Sequence, residues 1–211
     1  MASESGVVWE ILRKLIHLSS ILILFGYTII LKNTGSPQTA ILALTGLLLL
    51  FLEIEQIRLE HRPKIAQVFN LLFRSHERAH VVSAVFIVIS TIICFSAFDY
   101  PIAVVALLMT IFGDIFAAVI GKAFGKHKIF RNKTVVGTLA GFAANLIAGI
   151  LVLPDFYYLV IPMAITASVV ELFTNKLSDN LTVPVFTGFV GQMLVYFLAI
   201  ELPLVQFFFI F

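Results

Sequence analysis

Charge is what this sequence has least of. Lys, Arg, Asp and Glu make up 12% of its 211 residues, against about 25% in a soluble domain. That is too little charge to cover a water-facing surface. The 14 basic and 12 acidic residues leave a net charge of +2, which excludes a nucleic-acid binder that works by neutralising phosphates. A lone cysteine, Cys94, excludes an internal disulfide framework and any Cys-rich metal site. No G-x-x-x-x-G-K-[ST] string occurs, so a Walker A loop is absent. Nor is there a cleavable leader pattern, because Arg13 and Lys14 sit inside the first apolar stretch rather than ahead of it. The first helix is therefore expected to be retained. What is abundant is apolar: 60% of residues are hydrophobic and the mean hydropathy is +1.05. The chain reads as a single all-α membrane domain over residues 1–211.

A spanning helix needs about 20 mostly apolar residues. Such stretches run over 9–31, 38–54, 81–98, 101–121, 134–153, 156–174 and 183–200, predicting about seven transmembrane helices. Two polar loops, 55–80 and 122–133, separate them, and the apolar tail 201–211 is too short to cross. It is expected to lie in the interface or against the bundle. Arg58, Arg62, Lys64, Arg74 and Arg78 occupy the first loop, and Lys122, Lys126, Lys128, Arg131 and Lys133 the second. With seven crossings these share one side with Arg13, Lys14 and Lys176, and Lys32 alone falls opposite. The positive-inside rule then puts the N-terminus and both loops in the cytoplasm. Trp9, Tyr100, Tyr157 and Tyr158 sit near the expected membrane boundaries, where aromatic belts form.

Three acids stand out against this background. A charge near mid-bilayer costs roughly 2.5–3.5 kcal/mol on insertion scales, yet Asp114 and Glu171 lie within apolar helices, at matching depth. Asp179 and Asn180 follow Glu171 in the next turn or loop. One buried carboxylate is explained as a hydrogen-bond partner; three at one level, beside Lys/Arg-rich loops, point to a polar site. Their mutual repulsion would be relieved by a divalent cation, and oxygen ligands favour Mg²⁺. In helix 1, Glu10, Arg13, Lys14 and His17 form one stripe at i, i+3, i+4 and i+7. That stripe is either an intrahelical ion pair with its basic residues snorkelling to head groups, or a face turned toward the acids and an anionic ligand.

The stretch between helices 4 and 5 carries small residues at Gly113, Ala117, Gly121 and Gly125, then at Gly137 and Gly141, with Asn145 and Gly149 following at the same spacing. Spacing of four lets membrane helices approach closely. The same stretch holds Lys126, Lys128, Arg131 and Lys133, with Thr134 and Thr138 where helix 5 begins. Glycines, lysines and a helix N-terminus together suit a phosphate group.

In order and spacing, Gly113-Asp114, Gly121, Gly125, Lys128, Lys133-Thr134, Gly137-Thr138, Glu171 and Asp179-Asn180-Leu181-Thr182-Val183-Pro184 resemble the CTP-dependent lipid kinase family. That family comprises dolichol kinase, phytol kinase and CTP-dependent diacylglycerol kinase, and is distantly related to phosphatidate cytidylyltransferases. Arg13-Lys14-x-x-His17 and Arg74-x-x-Glu77 also resemble it, so the likeness covers residues 10–200. It departs at Val136, where the family often has an acid.

The resemblance implies transfer of the CTP γ-phosphoryl group to the hydroxyl of a lipid alcohol embedded in the bilayer. It implies Asp114 and Asp179 as metal ligands, and Glu171 as third ligand or base. Lys128, Lys133 and Arg131 would bind phosphates, with Gly121, Gly125 and Gly137 giving close backbone approach beside Thr134 and Thr138. Asn180 would position the nucleotide or a carboxylate, and His17 or Arg13 would complete the pocket. The alcohol would enter laterally at the cytoplasmic face of an integral membrane protein, in the plasma membrane of a prokaryote or the endoplasmic reticulum of a eukaryote.

Three rival readings carry their own features. Cytidylyl transfer to phosphatidate shares CTP but releases pyrophosphate. His76-Glu77-Arg78-Ala79-His80 spells H-E-x-x-H, the zinc-protease pattern, but that reading leaves the Gly/Lys stretch and Asp179-Asn180 unexplained; a solvated helix turn accounts for the two histidines. A transporter would also place acids in the membrane, though at the midplane and with an inverted repeat, which is not visible here.

Overall fold

The computed structural model describes residues 18, 20–61, 83–131, 133–174 and 178–202. Among them stand seven helices: α1 Ile21–Thr34, α2 Pro37–His61, α3 Ser83–Ala97, α4 Tyr100–Phe124, α5 Val135–Val152, α6 Tyr157–Phe173 and α7 Asp179–Phe197. One antiparallel hairpin, β1 Lys128–Phe130 with β2 Lys133–Thr134, joins α4 to α5.

The apolar composition decides which helix goes where. A helix hydrophobic all round belongs in the interior, and α4 is such a helix: residues 101–111 are buried without a break. Around it, one cluster packs Leu24, Tyr27, Leu44 and Phe95 of α1–α3 against Leu107 and Leu108. A second packs Met109 against Leu159, Met163 and Val183 of α6 and α7. Large apolar side chains such as Leu22, Leu42, Leu151 and Phe197 face outward. A soluble surface does not carry such a coat, whereas lipid tails accept it. Four helices (α2, α4, α5 and α7) are long and apolar enough to cross a membrane, and the other three are shorter apolar helices. The architecture is that of a helical integral membrane protein.

Several expected boundaries move. The helix expected over 38–54 continues to His61, so residues 55–61 are helix and not loop. Hydropathy drops there, but Gln56, Arg58 and Glu60 are good helix formers, and Arg58 reaches back to Glu55 at 2.6 and 2.9 Å. The loop over 122–133 is also shorter, because α4 extends to Phe124 and the two strands occupy most of the stretch from Lys128 to Thr134. Among the described residues the bundle is thus all-α apart from one small hairpin. The last helix begins at Asp179 rather than 183, which leaves Pro184 inside it. Residues 1–17, 62–82 and 203–211, including most of the first loop and the tail, lie outside the described residues.

Candidate active site

The site begins with a corner. Thr134 caps α5: its Oγ1 accepts from Gly137 N at 3.2 Å and donates to Gly121 O at 3.5 Å. That hydroxyl fits only because α4 and α5 approach closely. A Cβ on Gly137 would stand 2.7 Å from Ala117 O and 2.9 Å from Gly121 Cα. At Gly125 a Cβ would overlap Gly121 O and the Thr134 side chain. The side-chain space at Gly121, Gly125 and Gly137 is therefore filled by protein, so the helix seam and the seating of Thr134 need glycine there. Thr138 is half-buried on the next turn, and Val136 is 38% exposed.

From this corner the hairpin projects Lys133 onto the end of α6. Lys133 Nζ donates to Glu171 Oε1 at 2.9 Å and to the Glu171 carbonyl at 2.6 Å. The Lys133 side chain is 33% exposed and that of Glu171 11%, so the carboxylate is the more deeply committed partner. Phe130 packs edge-on against Phe173 at 5.6 Å and closes the hairpin on the same helix end. Arg131 turns the hairpin in the left-handed region (φ 54), with its guanidinium 5.2 Å from the Phe130 ring. Lys128 and Arg131 are exposed, whereas Lys133 is paired with Glu171.

The acids themselves come together. Glu171 lies within electrostatic reach of Asp114 on α4 and Asp179 on α7, as well as of Lys133. Its second oxygen, Oε2, faces the α4–α5 seam, 3.7 Å from where a Cβ on Gly141 would stand. Asp114 and Asp179 are half-buried, and Asn180 is 4% exposed. Asp179 Oδ1 accepts from the Asn180 backbone N–H at 3.0 Å. The Asn180 side-chain oxygen is buried with no hydrogen-bond partner among the described residues. A buried acceptor without a donor is costly unless something fills it.

Among the described residues no three His, Cys, Asp or Glu side chains form a preassembled metal cage. Asp114, Glu171 and Asp179 are brought to one end of the bundle without being clasped to one point. Arg13 and His17, with Glu10 and Lys14, fall outside the described residues, as do His76 to His80, Arg74 and Lys176. Two features were not legible in sequence: the Lys133–Glu171 pair, which joins a loop to a helix 38 residues away, and the orphaned Asn180 oxygen.

Over residues 6–199 the chain matches the cytidylyltransferase family, and it belongs to that family. Among individual relatives it is similar to a dolichol kinase of Schizosaccharomyces pombe, 28% identical over 178 residues, covering 75% of this chain and 35% of the relative. It is also similar to a probable chloroplastic phytol kinase of Triticum aestivum, 33% identical over 113 residues, covering 46% of this chain and 38% of the relative. The chain thus spans little more than a third of the length of these two curated relatives. No solved structure matches it.

Proposed function

We propose that this chain is a CTP-dependent lipid kinase, transferring the γ-phosphoryl group of CTP to the hydroxyl of a membrane alcohol. The acceptor class is an isoprenoid alcohol such as dolichol, another polyprenol or phytol, or else diacylglycerol. The observation that carries this reading is the gathering of Lys133, Asp114 and Asp179 around Glu171 at the end of an apolar bundle. Phosphoryl transfer needs fixed positive charge, a metal and a positioned hydroxyl rather than a covalent catalyst. The similarity to a dolichol kinase and a phytol kinase points the same way.

The donor set fits a hard divalent cation: carboxylate oxygens from Asp114, Asp179 and Glu171, and the unpaired Asn180 oxygen. When bound, Mg²⁺ would neutralise phosphate charge and orient the leaving group. Lys133 supplies the nearest cation to the phosphates, and Lys128 and Arg131 meet the nucleotide from the exposed side. Glu171 acts as third ligand or as the base that accepts the alcohol proton. Arg13 and His17 complete the pocket, and Thr134 and Thr138 hold its floor. The tail of the alcohol stays in the bilayer, so its head reaches the carboxylates laterally. Seven crossings with a cytoplasmic N-terminus would put this site at the cytoplasmic face.

The family match also supports a second reading, cytidylyl transfer to phosphatidate. Purified protein given CTP labelled at the γ- or the α-phosphorus, with a panel of lipid alcohols and phosphatidate, separates the two. Lipid labelled from γ and not from α is the expected result. Label from α in lipid, with γ appearing in pyrophosphate, would replace the kinase reading by the cytidylyltransferase one.

A further inference from the structure

Beneath the carboxylates lies a buried amide that none of these roles uses. Asn145 of α5 is 1% exposed. Its Nδ2 donates to Ser168 Oγ of α6 at 3.1 Å, and Ser168 Oγ donates in turn to Ala164 O at 2.9 Å. Its Oδ1 has no hydrogen-bond partner among the described residues. That oxygen rests on Gly113 of α4: a Cβ there would overlap Oδ1 and stand 3.1 Å from Cγ and from Nδ2. One side chain thus touches three helices.

Where it touches them is informative. Gly113 immediately precedes Asp114, and Ser168 lies one helical turn before Glu171. On its own helix Asn145 sits one turn beyond Gly141, the residue that faces Glu171 Oε2. The amide is therefore about one turn deeper than Glu171 and level with the residue just before Asp114, in contact with the helices that carry both carboxylates. Its oxygen is closed in by Gly113, so it cannot receive the substrate hydroxyl.

Apolar contacts between membrane helices fix sliding and rotation weakly, because lipid tails are as apolar as the partner helix. An interhelical hydrogen bond, being directional, fixes both. On a buried face otherwise made of Gly137, Gly141, Ala144, Ala148 and Gly149, an amide with an unpaired oxygen carries a desolvation cost that an apolar side chain would not. We infer that Asn145 is a positioning residue: it sets α4 and α6 in register on α5, so that Asp114 and Glu171 present their carboxylates at one depth. The link to catalysis rests on the phosphotransfer reading above; the steric contact does not.

The test uses purified full-length protein carrying Asn145→Ala, Ser168→Ala, Gly113→Ala or the Gly113→Ala/Asn145→Ala pair. For Asn145→Ala, the Mg²⁺ concentration giving half-maximal activity should rise about 10- to 100-fold, the scale for losing a support of a metal ligand. At Mg²⁺ concentrations that saturate the variant, kcat should still be lower, while KM for CTP stays within about twofold. Mn²⁺ binding followed by electron paramagnetic resonance should weaken in parallel. Ser168→Ala should shift the same quantities in the same direction and serves if Asn145→Ala fails to fold. Gly113→Ala should damage the wild type more than it damages Asn145→Ala, in activity and in thermal unfolding alike, because the smaller side chain vacates the space. Wild-type Mg²⁺ dependence and kcat in both Asn145→Ala and Ser168→Ala, or additive effects of Gly113→Ala and Asn145→Ala, would overturn the inference. Should the wild type itself neither transfer phosphate nor bind Mn²⁺, the kinase reading falls, and the non-additivity in thermal unfolding still judges the contact.

Discussion

Asp114→Asn is expected to abolish CTP-dependent phosphorylation while leaving a folded protein in the membrane. The substitution keeps the size and shape of the side chain and removes only its charge. Asp114 is half-buried in α4, and its neighbour Gly113 is held against Asn145. Its carboxylate acts on Glu171 at the centre of the cluster. If that charge holds the cation that neutralises the triphosphate, turnover should fall on the order of 10³-fold or more, the scale for removing a principal stabiliser of transition-state charge. The check is lipid labelling per folded molecule, with a size-exclusion profile in detergent to establish folding. Undiminished labelling would remove Asp114 from the site.

Lys133→Met should have the largest effect on stability. Lys133 ties the hairpin to the end of α6 through two hydrogen bonds to Glu171, at 2.6 and 2.9 Å. Removing it leaves a carboxylate whose side chain is only 11% exposed facing two others without its ammonium partner. Breaking a buried pair from one side costs about 3–5 kcal/mol, and the lower end applies because Lys133 keeps 33% exposure. Glu171→Gln should cost less, since Lys133 can rehydrate and the backbone carbonyl of residue 171 still accepts its hydrogen bond. The double variant Lys133→Met/Glu171→Gln should recover most of the stability lost in Lys133→Met and none of the activity. Thermal unfolding in detergent together with lipid labelling checks both halves. Equal losses from the two single variants would mean that burial of the carboxylate is not what the pair relieves.

The helices were largely legible because lipid imposes a simple rule: about 20 apolar residues in a row make a span. Where that rule failed, it failed for a physical reason. Residues 55–61 are polar enough to read as loop, yet the Glu55–Arg58 pair and good helix formers carry α2 through them. Asp179 and Asn180 lie outside the apolar run but form the first turn of α7, with Pro184 tolerated near its start. The hairpin was invisible because Arg131, which turns it in the left-handed region, is not a residue that signals such a turn.

At the site, the acids were found by their cost: Glu171 is expensive to place in an apolar helix and so stands out on inspection. Partnership is different. Nothing in the spacing of Lys133 and Glu171 says that they touch, because the contact depends on how the hairpin folds back over α6. Asn145 was hidden for the opposite reason, since its position fits the small-residue spacing of the seam and only the burial of its amide sets it apart.

Above all, the reading depends on carboxylates and triphosphate sharing one ion, and calorimetric titration of CTP into purified protein with and without Mg²⁺ addresses that dependence. Mg²⁺ should tighten CTP binding about tenfold or more in the wild type, and Asp114→Asn should lose that enhancement. CTP binding of equal strength with and without Mg²⁺ in the wild type would contradict the shared ion and the site built on it.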